Sequence, residues 1–427
     1  MRHHRWFVII ALGTQVKLAF AQPAPPGDPQ GAAPPPAGAG PAAGAASEPT
    51  FAPEHVAAGK PAAPVGQPVA PPLGRDDAMT LDRMVITSGS RVDLNFFGDV
   101  SLEQLKDQKA AVTIGPLGFQ VTAHLAEGLA GRTEFAMSFQ DGETVLDVER
   151  AYLEYRTEHW TFAAGRTHAE LGYWNNAFHH GRWLQLTINR PHVLRFEDEG
   201  GALQVHSVGV SASYGPGRGG SGLEVAVGVA NGHGRTIDLV QTESDNNWAK
   251  SVLLRIGAAG IGHPSLRFGV NVGIDSIAPE PAAVRPLLPD ASIFELVTGV
   301  YFALRSDGLI AFSETYNVLH RGGGKTWQLT NGFLLVGYPL GRFTPFAELE
   351  ARSGDGLSDP FYNPDPAIHS ETVHPGNFVE GIAGLRYELS AWSALKLELA
   401  GSRVQVAVDP SRYASDYRAE LNWSFGR

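Results

Sequence analysis

What most constrains this chain is an alternation of apolar and polar residues that recurs, eight to twelve residues at a time, from about Met84 to the C-terminus. Leu266, Phe268, Val270, Val272 and Ile274 alternate with Arg267, Gly269, Asn271, Gly273 and Asp275. Tyr417, Ala419, Leu421, Trp423 and Phe425 alternate with Arg418, Glu420, Asn422 and Ser424. Val379, Ala383, Leu385, Tyr387 and Leu389 lie opposite Glu380, Arg386 and Glu388. A period of two sends successive side chains to opposite faces of a strand, so each segment has one apolar face and one that carries full charges.

Such a pattern suits a soluble sandwich or a barrel in lipid, and two features choose between them. The segments exceed the usual soluble strand of about five or six residues, and no helical pattern intervenes over 84–427. A closed barrel pairs every backbone group, turns the apolar face to lipid and encloses water. The sequence therefore predicts an all-β fold, a transmembrane antiparallel β-barrel of about sixteen strands. These run from 89–98 and 117–126 at the start, through 201–214 and 248–257, to 394–405 and 413–425 at the end. Even-numbered connections are short. Most odd-numbered ones are longer, at 99–116, 168–200, 232–247, 277–293 and 354–377, whereas 141–145, 320–325 and 406–412 are short. Short turns at one rim and longer loops at the other are the habit of outer-membrane barrels. The inward polar positions are expected to face water, so that Asn271→Arg is tolerated where Val270→Arg is not.

The first 83 residues are different material. Arg2 and Arg5 precede an apolar stretch from Trp6 to Gly13, and Ala19-Phe20-Ala21 forms a small-x-small site, so 1–21 reads as a signal peptide. Residues 22–83 hold half of the 30 prolines among Ala and Gly and read as a disordered linker. Composition closes off other classes. No apolar run beyond residue 20 approaches the ~18 positions of a spanning helix. The absence of cysteine excludes disulfides and thiolate metal sites. A net charge of −11 without basic runs argues against nucleic acid as a partner.

Motifs with chemical meaning are few. Residues 215–220 fit G-x-G-x-x-G, but a strand rather than a helix follows, so the run is a turn. Gly322-Gly323-Gly324-Lys325-Thr326 imitates the end of a P-loop, yet it too joins two strands. Neither G-x-S-x-G nor H-E-x-x-H occurs, and His206 and Ser207, adjacent on a strand, point to opposite faces. Asp355, Asp359, Asp365, His369, Glu371 and His374 read as a solvated polar loop in preference to an ion site. No catalytic residue, metal ligand or cofactor is expected. The charged groups of greatest interest share the longest connection, 168–200: His168, Glu170, His179, His180, Arg182, Arg190, His192, Arg195, Glu197, Asp198 and Glu199. Folded into a lumen, they would form a pore constriction and set its field.

In strand number and in the place of its largest loop, the chain resembles the sixteen-stranded general porins, whose third long loop narrows the pore. Ala164-Gly165-Arg166 followed by Leu171-Gly172-Tyr173-Trp174-Asn175 looks like an element of the phosphate-selective porin family. Thr167 and Glu170-Leu171 depart from that element, so no binding residue is carried over. The segment from Phe178 to Gln185, with Asn189-Arg190-Pro191, looks like a run in other bacterial porin-like proteins. The resemblance implies a bacterial outer-membrane channel for passive diffusion of small hydrophilic solutes or ions, surrounded by outer-membrane lipid and assembled as a homotrimer. The alternatives are an outer-membrane enzyme of lipase or protease type, which His206 would serve, and a closed structural barrel plugged by the same loop.

Overall fold

A computed structural model describes residues 84–87, 90–140, 143–178, 181–195, 201–217, 220–234, 247–363, 376–406 and 409–426. The expected signal peptide and linker lie outside these residues. The first strands are β1 (Met84–Thr87), β2 (Ser90–Leu105), β3 (Ala111–Ile114), β4 (Leu117–Ala126), β5 (Leu129–Gln140) and β6 (Glu143–Arg156). They are followed by β7 (Trp160–His168), β8 (His206–Tyr214), β9 (Gly222–Ala230), β10 (Ser251–Ala259), β11 (Arg267–Ile277) and β12 (Ile293–Arg305). The last six are β13 (Ile310–Gly322), β14 (Lys325–Gly337), β15 (Phe343–Gly354), β16 (Phe378–Ser390), β17 (Ser393–Val406) and β18 (Asp409–Gly426).

Sixteen of these, β2 and β4 to β18, pair antiparallel with their neighbours in chain order. The ring closes where β18 pairs with β2, from Arg418 opposite Leu105 to Gly426 opposite Phe97. The short β1 and β3 pair with β2 at its two ends. Among the described residues, the sixteen-strand ring itself has no edge strand. Across the seam, Ser101 Oγ donates to Glu420 Oε1 at 2.6 Å, and Asn422 Nδ2 donates to Asp99 and Ser101 at 2.9 Å each.

Alternation sorts the two faces as expected. Val270 is 48% exposed on the outside, whereas Asn271 beside it is 1% exposed and points inward. Leu334, Val336, Leu397 and Leu399 extend the apolar outer belt. Trp160, Tyr338, Phe343, Trp392 and Trp423 stand exposed next to the short turns, an aromatic girdle at one rim. The turn at Gly323-Gly324, with φ of +55° and +77°, is a two-residue hairpin between paired Gly322 and Lys325. Both central residues need positive φ there, which accounts for the glycines that imitate a P-loop.

The start of β8 and the character of the inner face differ from what the sequence predicts. Strand β8 begins at His206 instead of 201, because residues 201–205 are buried as part of the long connection, which spans 169–205. The inner face is also less uniformly polar than expected. Val297, Tyr301, Phe312, Tyr316, Phe333 and Leu335 are all buried on the inward side of β12 to β14.

Candidate functional site

The hydrophobic core of the described residues lies inside the barrel, and the 169–205 loop supplies much of it. Trp174, Phe178, Leu186, Val193, Leu194 and Leu203 are buried against inward residues of β12 to β16. Trp174, in the single helical turn Trp174–Ala177, meets Phe312 and Phe333 edge-on at centroid distances of 5.6 and 5.4 Å. Tyr173 stacks on Phe312 at 6.1 Å. A loop this rich in large apolar groups finds its matching surface on the apolar inward positions of β13 and β14, where burial stabilises it most.

An irregular loop in a dry interior must still satisfy its backbone. Here wall side chains do so, sorted by charge. Carboxylates take N–H groups: Glu314 Oε1 accepts from Tyr173 at 2.8 Å and Trp174 at 2.6 Å, Glu398 accepts from Ile188, and Glu350 accepts from His192. Asn271 Oδ1 accepts from Gly172 at 3.0 Å. Cations take carbonyls: Arg386 donates to Trp183 and Gln185, Lys396 to Arg182 and Thr187, and Arg255 to Gly172 at 3.2 Å. Gly172 has φ +70°, and a Cβ there would lie 2.2 Å from both Glu314 Oε2 and the Tyr316 hydroxyl. This corrects the expectation for Asn271: an Arg there would displace the loop instead of entering water.

The predicted constriction residues fall in several places. His168 ends β7, buried, its ring 5.8 Å from that of His206. His206 is itself buried, with Nε2 3.2 Å from Glu149. Arg182, part-exposed, spans the seam and donates to Asp99 at 3.0 Å, Ser101 at 3.3 Å and Glu420 at 3.5 Å. Arg190 donates to Asn175 at 3.3 Å within the loop, and Glu170 pairs with Arg255 at 3.0 Å. His192 Nε2 lies 2.8 Å from Glu380, and half-buried Arg195 adds positive charge beside the same group. Burial pushes the His192 imidazole down to about 3; Arg195 acts in the same direction and the Glu380 contact opposes it. His179, His180, Glu197, Asp198 and Glu199 lie outside the described residues, as do Asp365, His369, Glu371 and His374 of the second polar loop. Asp359 of that loop binds His320 Nδ1 at 2.7 Å, and Glu295 holds the other ring nitrogen at 2.9 Å.

The opposite wall is of another kind. Inward-facing Gln120, His124, Arg132, Arg150, Tyr152, Arg156 and Thr161 on β4 to β7 are half-buried. Charges pair along this wall and the adjoining β2: Arg150 with Glu134, Arg132 with Glu154 at 3.3 Å, and Arg91 and His124 both with Asp93 of β2 at 2.7 Å. The loop's anchors on the wall are not among the residues expected from the sequence. Their signal was present, since Glu314, Glu350, Lys396 and Glu398 are charged residues at inward positions of otherwise apolar strands.

No protein-family profile matches the sequence, and no curated protein matches it. Solved structures do. OmpT, an outer membrane protein of Vibrio cholerae folded in vitro, aligns with a TM-score of 0.54 at 12% identity, covering 82% of this chain and all of that one. Its trimer form gives 0.53 at 12% identity, over 79% and 99% of the two chains. Salmonella typhi OmpF in complex with Daunomycin gives 0.50 at 10% identity, over 81% and 100%. At such identities the likeness is one of fold, and with the apolar belt it makes the chain a bacterial outer-membrane β-barrel.

Proposed function

We propose that this outer-membrane barrel is a porin-like channel through which small hydrophilic solutes or ions diffuse passively, confined between the inserted loop and the polar wall of β4 to β7. The observation that carries the reading is the half-buried, ion-paired inner face of those strands, opposite a loop that the remaining strands hold fast. Charge along such a path sets the ionic preference. Part-exposed Arg182 stands at the edge of the loop in this reading. No step of the proposed function is catalytic. The barrel assembles as a homotrimer in this reading, as the trimer form of OmpT does, and light scattering of the detergent complex tests that. Planar-bilayer recording of the purified full chain tests the channel: discrete conductance steps are expected, and silence at every voltage overturns it.

A further inference from the structure

A second site lies where the loop meets β15 and β16. The side-chain donor atoms of His192, Glu350 and Glu380 all lie within 4.8 Å of one another, and all three residues are buried. Glu350 and Glu380 are directly paired across the two strands. Like charges so placed on a dry face destabilise a sheet. Glu348, two residues along the same inward face, is 4% exposed, and neither of its buried carboxylate oxygens has a hydrogen-bond partner among the described residues. The carboxylates acting on it are those of Glu350, Glu398 and Glu380. Arg418, the cation acting on Glu348, is shared with Glu398 at 3.6 Å and Glu420 at 3.7 Å. Two carboxylates and an imidazole thus converge, with the unpartnered carboxylate of Glu348 two residues along the same face and the cations Arg195, Arg352 and Arg418 around them.

We propose that His192, Glu350 and Glu380, with Glu348 as a fourth donor, bind a divalent transition-metal cation that fastens the inserted loop to the barrel wall. One imidazole nitrogen with carboxylate oxygens is a donor set for zinc, manganese or ferrous iron, not one for calcium or magnesium, which prefer oxygen throughout. A bound ion would draw the donor atoms in to the ~2.0–2.2 Å of metal–ligand bonds. The ion would replace the His192–Glu380 hydrogen bond with two bonds to itself and give Glu348 its missing partner. Because His192 belongs to the loop and the carboxylates to the wall, binding would be a cross-link inside the lumen.

The test uses the full chain, purified in detergent and stripped with EDTA, with Zn2+ as the probe. Metal content after gel filtration and the temperature of the unfolding band shift are measured as zinc is restored. The parent is expected to gain one tightly held zinc and to unfold at a higher temperature. E380Q and H192N should each weaken that uptake by at least about tenfold. E348Q/E350Q preserves side-chain volume and removes the repulsion, so it should fold without metal and show no zinc-dependent rise. Exposed histidines bind zinc nonspecifically and the chain has 15 histidines in all, so the difference between parent and variants decides. A parent that gains neither zinc nor stability overturns the proposal, and so do variants that match the parent.

Discussion

The inner faces of β12 to β17 and of β4 to β7 present side chains at the same two-residue spacing, and both carry charges. On β12 to β17 the charges are interleaved with large apolar groups, as in Phe312, Glu314 and Tyr316, and they hydrogen-bond the backbone of the inserted loop. On β4 to β7 the inward residues are polar or small, and the charges bind one another. The difference teaches that a charged inward residue in a barrel does not by itself mark a wet surface. Alternating with bulky apolar neighbours, it marks a docking surface for chain; alternating with small or polar ones, it marks the wall that the proposed channel leaves to water.

The most severe way to break this contrast is to remove the loop. Replacing residues 173–204 with a short glycine-serine bridge should raise single-channel conductance several-fold while the barrel still folds. An unchanged conductance would show that the loop does not limit the path. Next comes Trp174→Ala, which empties the centre of the dry half and should cost about 3–5 kcal/mol in denaturant unfolding. Tyr152→Ala on the wet wall should cost far less, and equal losses would erase the distinction. Lys396→Met leaves the Thr187 and Arg182 carbonyls without their donor and should destabilise the fold by about 1.5–3 kcal/mol, with the loop becoming accessible to protease. The smallest effect on stability is expected from Asp93→Asn, which should leave the unfolding midpoint unchanged. Measured under a salt gradient, its reversal potential should nevertheless move toward anions.

The barrel was legible because lipid imposes a strict two-residue period on every strand, and a segment such as 266–276 shows it without interruption. The dry half was not. In β14, Leu329, Phe333 and Leu335 point inward while Leu334 and Val336 point outward, so the apolar pattern is two-sided and hides the docking face. The insertion of the long connection could be anticipated from its length and place, and Arg182 and His192 could be named as members. What they touch could not. Arg182 meets residues 83 positions before it and 238 after it, and His192 meets one 188 positions on. No local spacing encodes such partners.

Arg182 also bears on the order in which the molecule is made. It grips Asp99 and Ser101 on the first strand of the ring and Glu420 on the last, two strands whose direct bonds join residues 319 to 323 positions apart. Such distant pairings are late events, since the chain between them must already be organised. The middle of the sequence therefore carries its own half of a fastening for ends that have not yet met. Where the final strand meets the first, one guanidinium bonds to both, so the closure of the cylinder and the seating of its contents share a fastening.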